Sequence, residues 1–257
     1  MFAFQDTVGP VEVAFTDRHA ADGGGPSAAL DLSAHPRDDA HRAEVQRSFA
    51  MLRAAMASGA ADAGGRPRGV SPPPRLVSMR QVHGADVALV DATALDRDDI
   101  PECDALVTRL PGVALVVRVA DCVPVLLADA QAGVVAAVHA GRVGLAAGVV
   151  PAAIAAMRTL GAGRLQGWVG PHVCGGCYEV PEQMRSEVSD SVPAAWSTTS
   201  WGTPALDIGA GVRTQLLEEA VEVVDASRCT VESEDLYSYR RQGAASGRLG
   251  GLIWVRP

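Results

Sequence analysis

Three apolar, strand-like runs of the chain each end near a histidine or a cysteine: His83, Cys122 and His139. Two imidazoles and one thiolate form a three-point ligand set for zinc or another borderline-soft metal. Because three protein ligands leave one position open for water or substrate, the set is typical of catalytic rather than structural zinc. The residue types therefore predict an open metal site, with Zn²⁺ as the expected ion and Cu²⁺ as the alternative.

Each of these residues also has a structural interpretation. His83 taken alone fits a partly buried histidine bonded to a backbone carbonyl, and Cys122 taken alone fits a buried small hydrophobe. Asp121 needs a partner or solvent, and Pro124 cannot donate to a sheet ladder, so we expect Cys122 at the rim of a sheet. His139 opens a strand-glycine-helix turn, which favours an anion site at the helix N-terminus but is common among proteins.

A second cluster contains Cys174 and Cys177 in Cys-x-x-Cys spacing. Because the chain has no second pair of this type, the spacing does not support a four-cysteine zinc site. A redox dithiol is an alternative, since a helix is predicted to follow from Pro181, but the packing of a tight loop is favoured. Five cysteines in 257 residues do not make a disulfide framework.

A third cluster contains Arg240 and Arg241, followed by Arg248. Two adjacent arginines on a strand would point to opposite faces, so at most one is expected to face a given pocket. Two interpretations carry equal weight. The arginines belong to a salt-bridged surface strand, or one of them recognises phosphate or carboxylate through its guanidinium fork.

Composition limits the function classes. The chain is 48% hydrophobic over 257 residues, which is ample for one large core, and we expect a single domain over residues 1–257. The net charge of -8 argues against a general affinity for nucleic acid. No stretch of about eighteen apolar residues is free of charge, so no transmembrane helix is expected. The N-terminal residues lack the pattern of a secretory signal, which makes a cytoplasmic location the expectation.

Hydrophobic periodicity predicts the elements that position these residues. Strands are predicted at 11–16, 76–82, 87–90, 105–108, 113–119, 124–128, 134–138, 165–169 and 252–255. Helices are predicted at 38–57, 143–160 and 207–220, the last with Asp207 as its N-cap. The glycine-rich run 22–27 and the glycine- and proline-rich run 64–74 are predicted to be loops. Clustered strands with helices between and around them favour a layered α/β or α+β domain, with a mixed β-sheet flanked by helices.

Taken together, the motifs resemble the YfiH family. This family was labelled multicopper polyphenol oxidase or laccase in older usage, and has since been described as purine nucleoside phosphorylase with adenosine deaminase activity and as the peptidoglycan editing factor. The likeness spans nearly the whole chain in the same order. The matching runs are Gln81–Gly84, Asp104–Thr108, Ala120–Leu127, Val138–Gly141, Cys177–Val180 and Ser238–Arg241.

The resemblance implies one layered α/β domain in which His83, Cys122 and His139 are both metal ligands and catalytic residues. It also implies phosphorolysis of adenosine, inosine and methylthioadenosine, and deamination of adenosine. The expected partners are then small molecules, a purine nucleoside and phosphate, with neither nucleic acid nor membrane among them. We expect a monomer or a small homo-oligomer.

Gln81, Arg142 and Arg240 are the candidate substrate-binding residues, and Arg142 or Arg240 would hold phosphate. The family usually has Trp-Arg-Gly after the His-Ala-Gly motif, whereas this chain has Arg142-Val-Gly, so the basic residue is shifted by one position. The family's phosphate role therefore does not carry over to Arg142 directly. Asp121 and Glu179 are candidates for moving protons during deamination.

Three other functions compete with nucleoside chemistry. A copper oxidase acting on phenols would use two histidines and a cysteine, but a multicopper enzyme needs many more histidines than the six in this chain. A hydrolase with Cys122 as nucleophile and His83 or His139 as base would suit the editing of peptidoglycan precursors. A structural zinc protein or binding module is the non-enzymatic alternative.

Overall fold

The computed structural model describes residues 1–20, 29–57, 72–96 and 99–257. The strands are β1 (Phe2–Val8), β2 (Val11–Thr16), β3 (Arg75–Ser78), β4 (Val87–Leu89), β5 (Ala105–Thr108), β6 (Val113–Val119), β7 (Val123–Asp129), β8 (Val134–Ala140), β9 (Gln166–Val169), β10 (Trp196–Thr198), β11 (Pro204–Leu206), β12 (Glu222–Asp225) and β13 (Leu249–Val255). The helices are α1 (Asp39–Ala57), α2 (Ala92–Leu95), α3 (Arg142–Ala146), α4 (Val149–Thr159), α5 (Glu182–Ser191), α6 (Ile208–Glu218) and α7 (Tyr239–Gln242). The predicted loop at 22–27, and all of the predicted loop at 64–74 except 72–74, lie outside the described residues.

Two mixed sheets carry the fold. One has the order β1-β2-β13-β6-β3 and the other the order β12-β9-β7-β8-β5-β4, while β10 and β11 form a separate hairpin-like pair. Most neighbours are antiparallel, but β3 pairs with β6, β4 with β5, and β12 with β9 in parallel. The predicted layered α/β architecture with a mixed sheet flanked by helices is confirmed.

The two sheets pack face to face, and helices cover their outer faces. On β7, Leu126 belongs to the core between the sheets, whereas Leu127 belongs to the core that includes Ile154 of α4. On β6, Leu115 faces the inter-sheet core and Val116 packs in the cluster that includes Leu52 of α1. Because both faces of these strands are buried, their sequences are continuous apolar runs rather than alternating ones.

The chain crosses between the two sheets at two places that matter for the candidate site. Strand β6 belongs to the five-stranded sheet and β7 to the six-stranded sheet, and only residues 120–122 connect them. The segment from β3 to β4 makes the same change of sheet. Cys122 therefore lies at the seam between the sheets, which explains the break in the apolar sequence around it.

Several predicted bounds differ from the structure. The strand predicted at 76–82 ends at Ser78, and the strand predicted at 134–138 continues through Ala140. The helix predicted at 143–160 is two helices, because Gly148 adopts a left-handed conformation with φ of 79° between α3 and α4. The predicted cap is confirmed, since the Asp207 side chain accepts a hydrogen bond from the Ala210 backbone N–H over 2.7 Å. Over the described ranges, no helix is both long and apolar enough to cross a membrane.

Candidate metal centre

The structure brings together the three predicted ligands. His83 lies in the loop between β3 and β4, Cys122 directly precedes β7, and His139 is on β8. Their ligand atoms all lie within 4.8 Å of one another. The Cys122 Sγ atom is 3.8 Å from Nε2 of His83, and the two imidazole rings meet edge to face with centroids 4.8 Å apart.

Backbone strain is concentrated beside these ligands. His83 has φ of 64° and Asp121 has φ of 98°, a region that side-chain-bearing residues rarely adopt. The Asp121 carboxylate holds its turn, because it accepts one hydrogen bond from Thr230 Oγ1 over 2.6 Å and another from the Arg240 backbone N–H over 2.7 Å. Its backbone carbonyl accepts from the Val173 N–H. These bonds fix the direction in which Cys122 leaves the turn.

Asp104 organises the two histidines. Its fully buried carboxylate lies 2.7 Å from Nδ1 of His139 and accepts backbone hydrogen bonds from Val82, His83 and Gly84 over 3.2, 3.0 and 2.6 Å. A carboxylate on Nδ1 fixes the tautomer of His139 and leaves its Nε2 atom as the ligand. One side chain therefore orients His139 and shapes the loop that carries His83.

Gly141 leaves room for the centre. A Cβ atom added to it would lie 2.8 Å from Cδ2 of His83 and 3.3 Å from Sγ of Cys122. The first distance is far below an ordinary contact, so a side chain here would displace the imidazole. The glycine after His139-Ala is thus explained by the close approach of two ligands.

The centre is also electrostatically coupled. Burial alone would raise the pKa of the Cys122 thiol, but the charge of His139 and hydrogen bonds from His139 and His83 lower it from 9.0 to about 6. Burial alone would lower the pKa of His139, whereas the Cys122 thiolate and the hydrogen bond to Asp104 raise it from 6.5 to about 9. Cys122 and His139 therefore stabilise each other as a thiolate and an imidazolium.

The donor set fits a zinc or copper ion. Zinc binds sulfur at about 2.3 Å and imidazole nitrogen at about 2.0–2.1 Å, so donor atoms within 4.8 Å of one another need only small shifts to share one ion. His139 is buried, Cys122 is half-buried and His83 is exposed. The side of the centre without a protein ligand consequently faces the open cavity.

That cavity has a volume of about 980 Å³ and is lined by all three ligands. Its wall also carries Arg118, Arg240 and Arg248, none of which forms an ion pair with a carboxylate within the described ranges. Arg118 donates to the Met79 carbonyl, and burial together with the charge of Arg248 lowers the pKa of its guanidinium. Guanidinium groups without a carboxylate partner are suited to bind an anion.

The three predicted substrate-binding residues have different positions. Gln81 lines the cavity, but its amide donates to the Arg118 carbonyl over 2.8 Å and accepts from the Arg118 N–H over 2.9 Å. Arg240 lines the cavity with its guanidinium 4.8 Å from the centre of the Tyr178 ring. Arg142 begins α3 beside the Tyr178 hydroxyl and is not among the lining residues. Of these three, Arg240 is best placed to contact a ligand.

Other sequence interpretations are corrected by the structure. Arg240 and Arg241 lie on a short helix capped by Ser238 rather than on a strand. They still diverge, since the Arg241 guanidinium donates to the backbone carbonyls of the 230–236 segment. Glu179 is exposed, accepts a hydrogen bond from Trp201 and does not line the cavity. It is therefore poorly placed to move protons at the centre.

Two residues of the site were not singled out for a role from the sequence, Asp104 and Arg118. Asp104 is an acid directly before a fully buried strand, and Arg118 is the one charged residue in the apolar strand β6. Since buried charges require partners or a function, these placements are the signal that could have revealed them. Asp104 directly precedes β5 and Arg118 is near the end of β6, so both lie close to the seam between the two sheets.

The known proteins that this chain resembles share one family but carry different activity names. Residues 12–256 match the family described as multi-copper polyphenol oxidoreductase laccase. The chain is 48% identical over 260 residues to a purine nucleoside phosphorylase of Streptomyces coelicolor, covering 99% of this chain and 100% of the relative. It is 35% identical over 192 residues to the adenosine deaminase RL5 of an unknown prokaryotic organism, covering 67% of this chain and 72% of the relative.

A solved structure agrees with these sequence matches. The crystal structure of a Neisseria meningitidis protein of the DUF152 family superimposes with a TM-score of 0.79 at 28% identity, covering 99% of each chain. The family match, the identity to the phosphorylase and this superposition all extend over nearly the full length. The chain belongs to the multi-copper polyphenol oxidoreductase laccase family, which is the YfiH family that its motifs resemble.

Proposed function

We propose that this protein is a metal-dependent purine nucleoside phosphorylase, acting on adenosine, inosine and methylthioadenosine, with adenosine deaminase as a second activity. The observation that carries the proposal is the shared cavity, which is lined both by the centre of His83, Cys122 and His139 and by arginines that have backbone partners but no carboxylate partner in the described part of the chain. The names of the Streptomyces coelicolor and RL5 relatives support the two activities.

Phosphate is the substrate that the arginines of the cavity wall are suited to bind. Guanidinium groups bind phosphate oxygens through paired, charge-assisted hydrogen bonds. Arg118 and Arg248 are half-buried, so their attraction for an anion is less weakened by solvent than that of a fully exposed side chain. Arg240 is positioned through its backbone, because its N–H donates to Asp121 beside Cys122. The anion would thus be held next to the metal centre.

The nucleoside has apolar and aromatic surface available in the same cavity. Tyr178 and Tyr239 line it, together with Val119 and Ala120 at the end of β6. Aromatic side chains bind flat purine rings by stacking. A cavity of about 980 Å³ is large enough for a nucleoside and a phosphate together.

In phosphorolysis, a phosphate oxygen forms a bond to the anomeric carbon of the ribose, and the bond from that carbon to the purine nitrogen breaks. The electron pair leaves with the purine, which must then take up a proton. The phosphate would be bound by Arg118, Arg240 and Arg248, which would direct one of its oxygens at the anomeric carbon. This positioning makes a bimolecular step effectively unimolecular. His83, Cys122 and His139 would hold the metal, which supplies Lewis-acid stabilisation of developing negative charge.

Deamination replaces the purine amino group with oxygen from water and releases ammonia. Among the acidic residues considered for proton transfer, Asp121 lines the cavity but both of its carboxylate oxygens already accept hydrogen bonds. It is better suited to hold the Cys122 turn and Arg240 in place than to shuttle protons. Asp104 orients the Nε2 atom of His139 from behind, without facing the cavity itself.

A second candidate is favoured by one observation. The Asp104 carboxylate orients the His139 imidazole, which lies beside the Cys122 thiol, and this is the arrangement used for nucleophilic catalysis. A hydrolase of this kind would attack an acyl or amide bond through Cys122, as expected for an editing role on peptidoglycan precursors. A copper-dependent polyphenol oxidase is less favoured, because the described residues include all six histidines and bring only two of them into a metal-binding group.

The test is product analysis with and without phosphate. Metal-loaded protein is incubated with adenosine, inosine or methylthioadenosine, and bases, sugars and ammonia are resolved by chromatography. Phosphate-dependent release of the base with an equimolar sugar 1-phosphate (ribose 1-phosphate from adenosine or inosine, methylthioribose 1-phosphate from methylthioadenosine) supports phosphorolysis. Ammonia and inosine formed from adenosine support deamination. Loss of both with Cys122→Ala would tie them to this centre. No turnover of any nucleoside by metal-loaded protein contradicts the proposal and favours the hydrolase.

A further inference from the structure

A second cluster of potential metal ligands lies outside the cavity. Cys174, Cys177, Cys229 and Glu232 place their ligand atoms within 4.8 Å of one another. The Sγ atom of Cys177 is 3.5 Å from Oε1 of Glu232, and all three cysteines are free thiols. The sequence shows only the Cys-x-x-Cys pair, because the other two residues come from a segment more than fifty residues later.

The Cys-x-x-Cys turn is rigidly held. The backbone N–H groups of Cys177 and Tyr178 both donate to the Cys174 carbonyl over 3.0 Å. A Cβ atom on Gly175 would lie 2.6 Å from the Ser197 hydroxyl, so the turn fits against its neighbours only without a side chain there. The backbone that carries the two sulfur atoms is therefore fixed, and the sulfur atoms lie within 4.8 Å of each other.

The second half of the cluster is fixed just as firmly. His172 and Cys229 form a parallel β-bridge, in which the His172 N–H donates to the Arg228 carbonyl over 3.1 Å. A turn closed by the hydrogen bond from the Ser233 N–H to the Cys229 carbonyl brings Glu232 back toward the sulfur atoms. The Arg241 guanidinium holds three carbonyls of the 230–233 segment.

The negative charge of its deprotonated donors favours the binding of a cation at this cluster. The Cys177 thiol lies 3.5 Å from the Glu232 carboxylate, and the sulfur atoms of Cys174 and Cys229 belong to the same cluster. Three adjacent thiolates and a carboxylate repel one another unless a positive ion lies between them. Structural zinc sites are four-coordinate and rich in cysteine, often with Cys-x-x-Cys spacing, and a glutamate oxygen is an accepted zinc ligand.

We propose that Cys174, Cys177, Cys229 and Glu232 bind a structural zinc ion in four-coordinate geometry. Binding releases the three thiol protons to solvent and leaves thiolate ligands on the metal. The earlier interpretation of Cys174 and Cys177 as loop packing is then incomplete, because the turn supplies two of four ligands.

This ion would join two segments that support the cavity. Tyr178, next to Cys177, lines the cavity, and Val173 donates its N–H to the Asp121 carbonyl. Thr230, next to Cys229, donates its hydroxyl to the Asp121 carboxylate. Zinc at the cluster would therefore stiffen the turn that presents Cys122 without contacting any substrate. Its role is positioning and stability, not catalysis.

The test measures zinc in protein that lacks the first centre. The His83→Ala/Cys122→Ala double variant is purified with reducing agent, dialysed against metal-free buffer and analysed for metal by mass spectrometry. We expect about one zinc ion per chain to remain, as for a closed structural site. Adding Cys229→Ser should remove nearly all of it, whereas adding Cys103→Ala, which deletes a buried thiol belonging to neither cluster, should leave it unchanged.

A second measurement does not depend on the folding of the Cys229 variant. Cobalt is added to the metal-stripped double variant, and the thiolate-to-cobalt charge-transfer band is recorded during titration. A saturating band at about one equivalent supports the site, and added zinc should abolish it. Less than about a tenth of an equivalent of zinc, with no cobalt band and all thiols reduced, would overturn the proposal. A chain lighter by two hydrogens, showing a disulfide between two of the three cysteines in reducing buffer, would overturn it as well.

Discussion

Nδ1 of His139 and Oδ1 of Asp104 are joined by a hydrogen bond of 2.7 Å inside the protein, and neither side chain is more than 3% exposed. The same carboxylate accepts three backbone hydrogen bonds from the loop that carries His83. Two of the three proposed ligands therefore depend on one acid that does not line the cavity. This dependence makes Asp104 the most informative residue to change.

Replacing Asp104 with Asn should weaken metal binding by about 10–100-fold, the usual effect of losing a carboxylate behind a ligating histidine. The amide would also present an NH₂ group to backbone N–H donors, which removes acceptors from a buried site. Metal affinity is measured by competition with a chelator. Asp129→Asn is the matched control, since Asp129 is a buried carboxylate that accepts backbone hydrogen bonds away from the centre. Equal metal affinity in the Asp104 variant and the parent would contradict the proposed role.

Gly141→Ala should reduce metal affinity by roughly tenfold or more, because the new methyl group would push on the His83 ring and the Cys122 sulfur. Gly163→Ala is the control, since a Cβ atom there would meet nothing nearer than 4.0 Å. Chelator competition and thermal unfolding are measured on both variants. If the Gly141 variant bound metal as tightly as the parent, the packing of the ligands around this glycine would be wrong.

Arg248→Ala should raise the KM for phosphate by about 10–100-fold, the equivalent of losing a charge-assisted hydrogen bond worth about 1.5–3 kcal/mol. The KM for the nucleoside should change much less, because the guanidinium is assigned to the anion. Initial rates are measured by varying each substrate with the other saturating. The control is Arg164→Ala, an arginine with a 91% exposed side chain and no place in the cavity wall. An equal rise in both KM values would contradict a specific phosphate role.

The pH dependence of stability should contain a contribution from Asp129. Burial alone would raise the pKa of its carboxyl, but backbone hydrogen bonds from Ala132, Gly163, Arg164 and Gln131 outweigh this and lower it below 3.8. The folded state therefore binds this proton less readily than the unfolded state. The stabilisation is present above the unfolded pKa and is lost as pH falls through the folded pKa.

Asp129→Asn should lower the free energy of unfolding by about 1–3 kcal/mol at neutral pH and flatten its decline on acidification. Urea unfolding of parent and variant is measured at several values between about pH 7 and pH 3. The difference between the two proteins should shrink at the acidic end of the series. A constant difference at every pH would show that the carboxylate charge is not responsible.

Much of the central fold could be predicted, because strands that are buried on both faces have continuous apolar sequences. The predicted bounds 105–108 and 113–119 are those of β5 and β6. β1 was not predicted, since its residues are mostly half-buried and include polar side chains. The predicted helix at 143–160 was wrong at Gly148, where a left-handed glycine ends one helix and precedes the next.

The candidate sites also contain residues that could be predicted from the sequence and residues that could not. His83, Cys122 and His139 could be predicted because reactive side chains at the ends of apolar runs are conspicuous. The partnership of Cys174 with Cys229 could not, because it depends on a β-bridge between His172 and Cys229 that joins distant segments. Local patterns record which side chains are present, whereas long-range pairing decides which of them meet.

The crossing of the chain between the two sheets also constrains when the proposed metal centre can be made. Cys122 lies on one crossing, His83 on the other, and His139 inside a strand of the six-stranded sheet. The three side chains come within reach of one ion only after β7 has paired with β8 and the crossing that carries His83 has been fixed by its hydrogen bonds to Asp104. Metal binding would then follow folding rather than initiate it. A metal ion bound at this centre would therefore indicate a correctly folded chain.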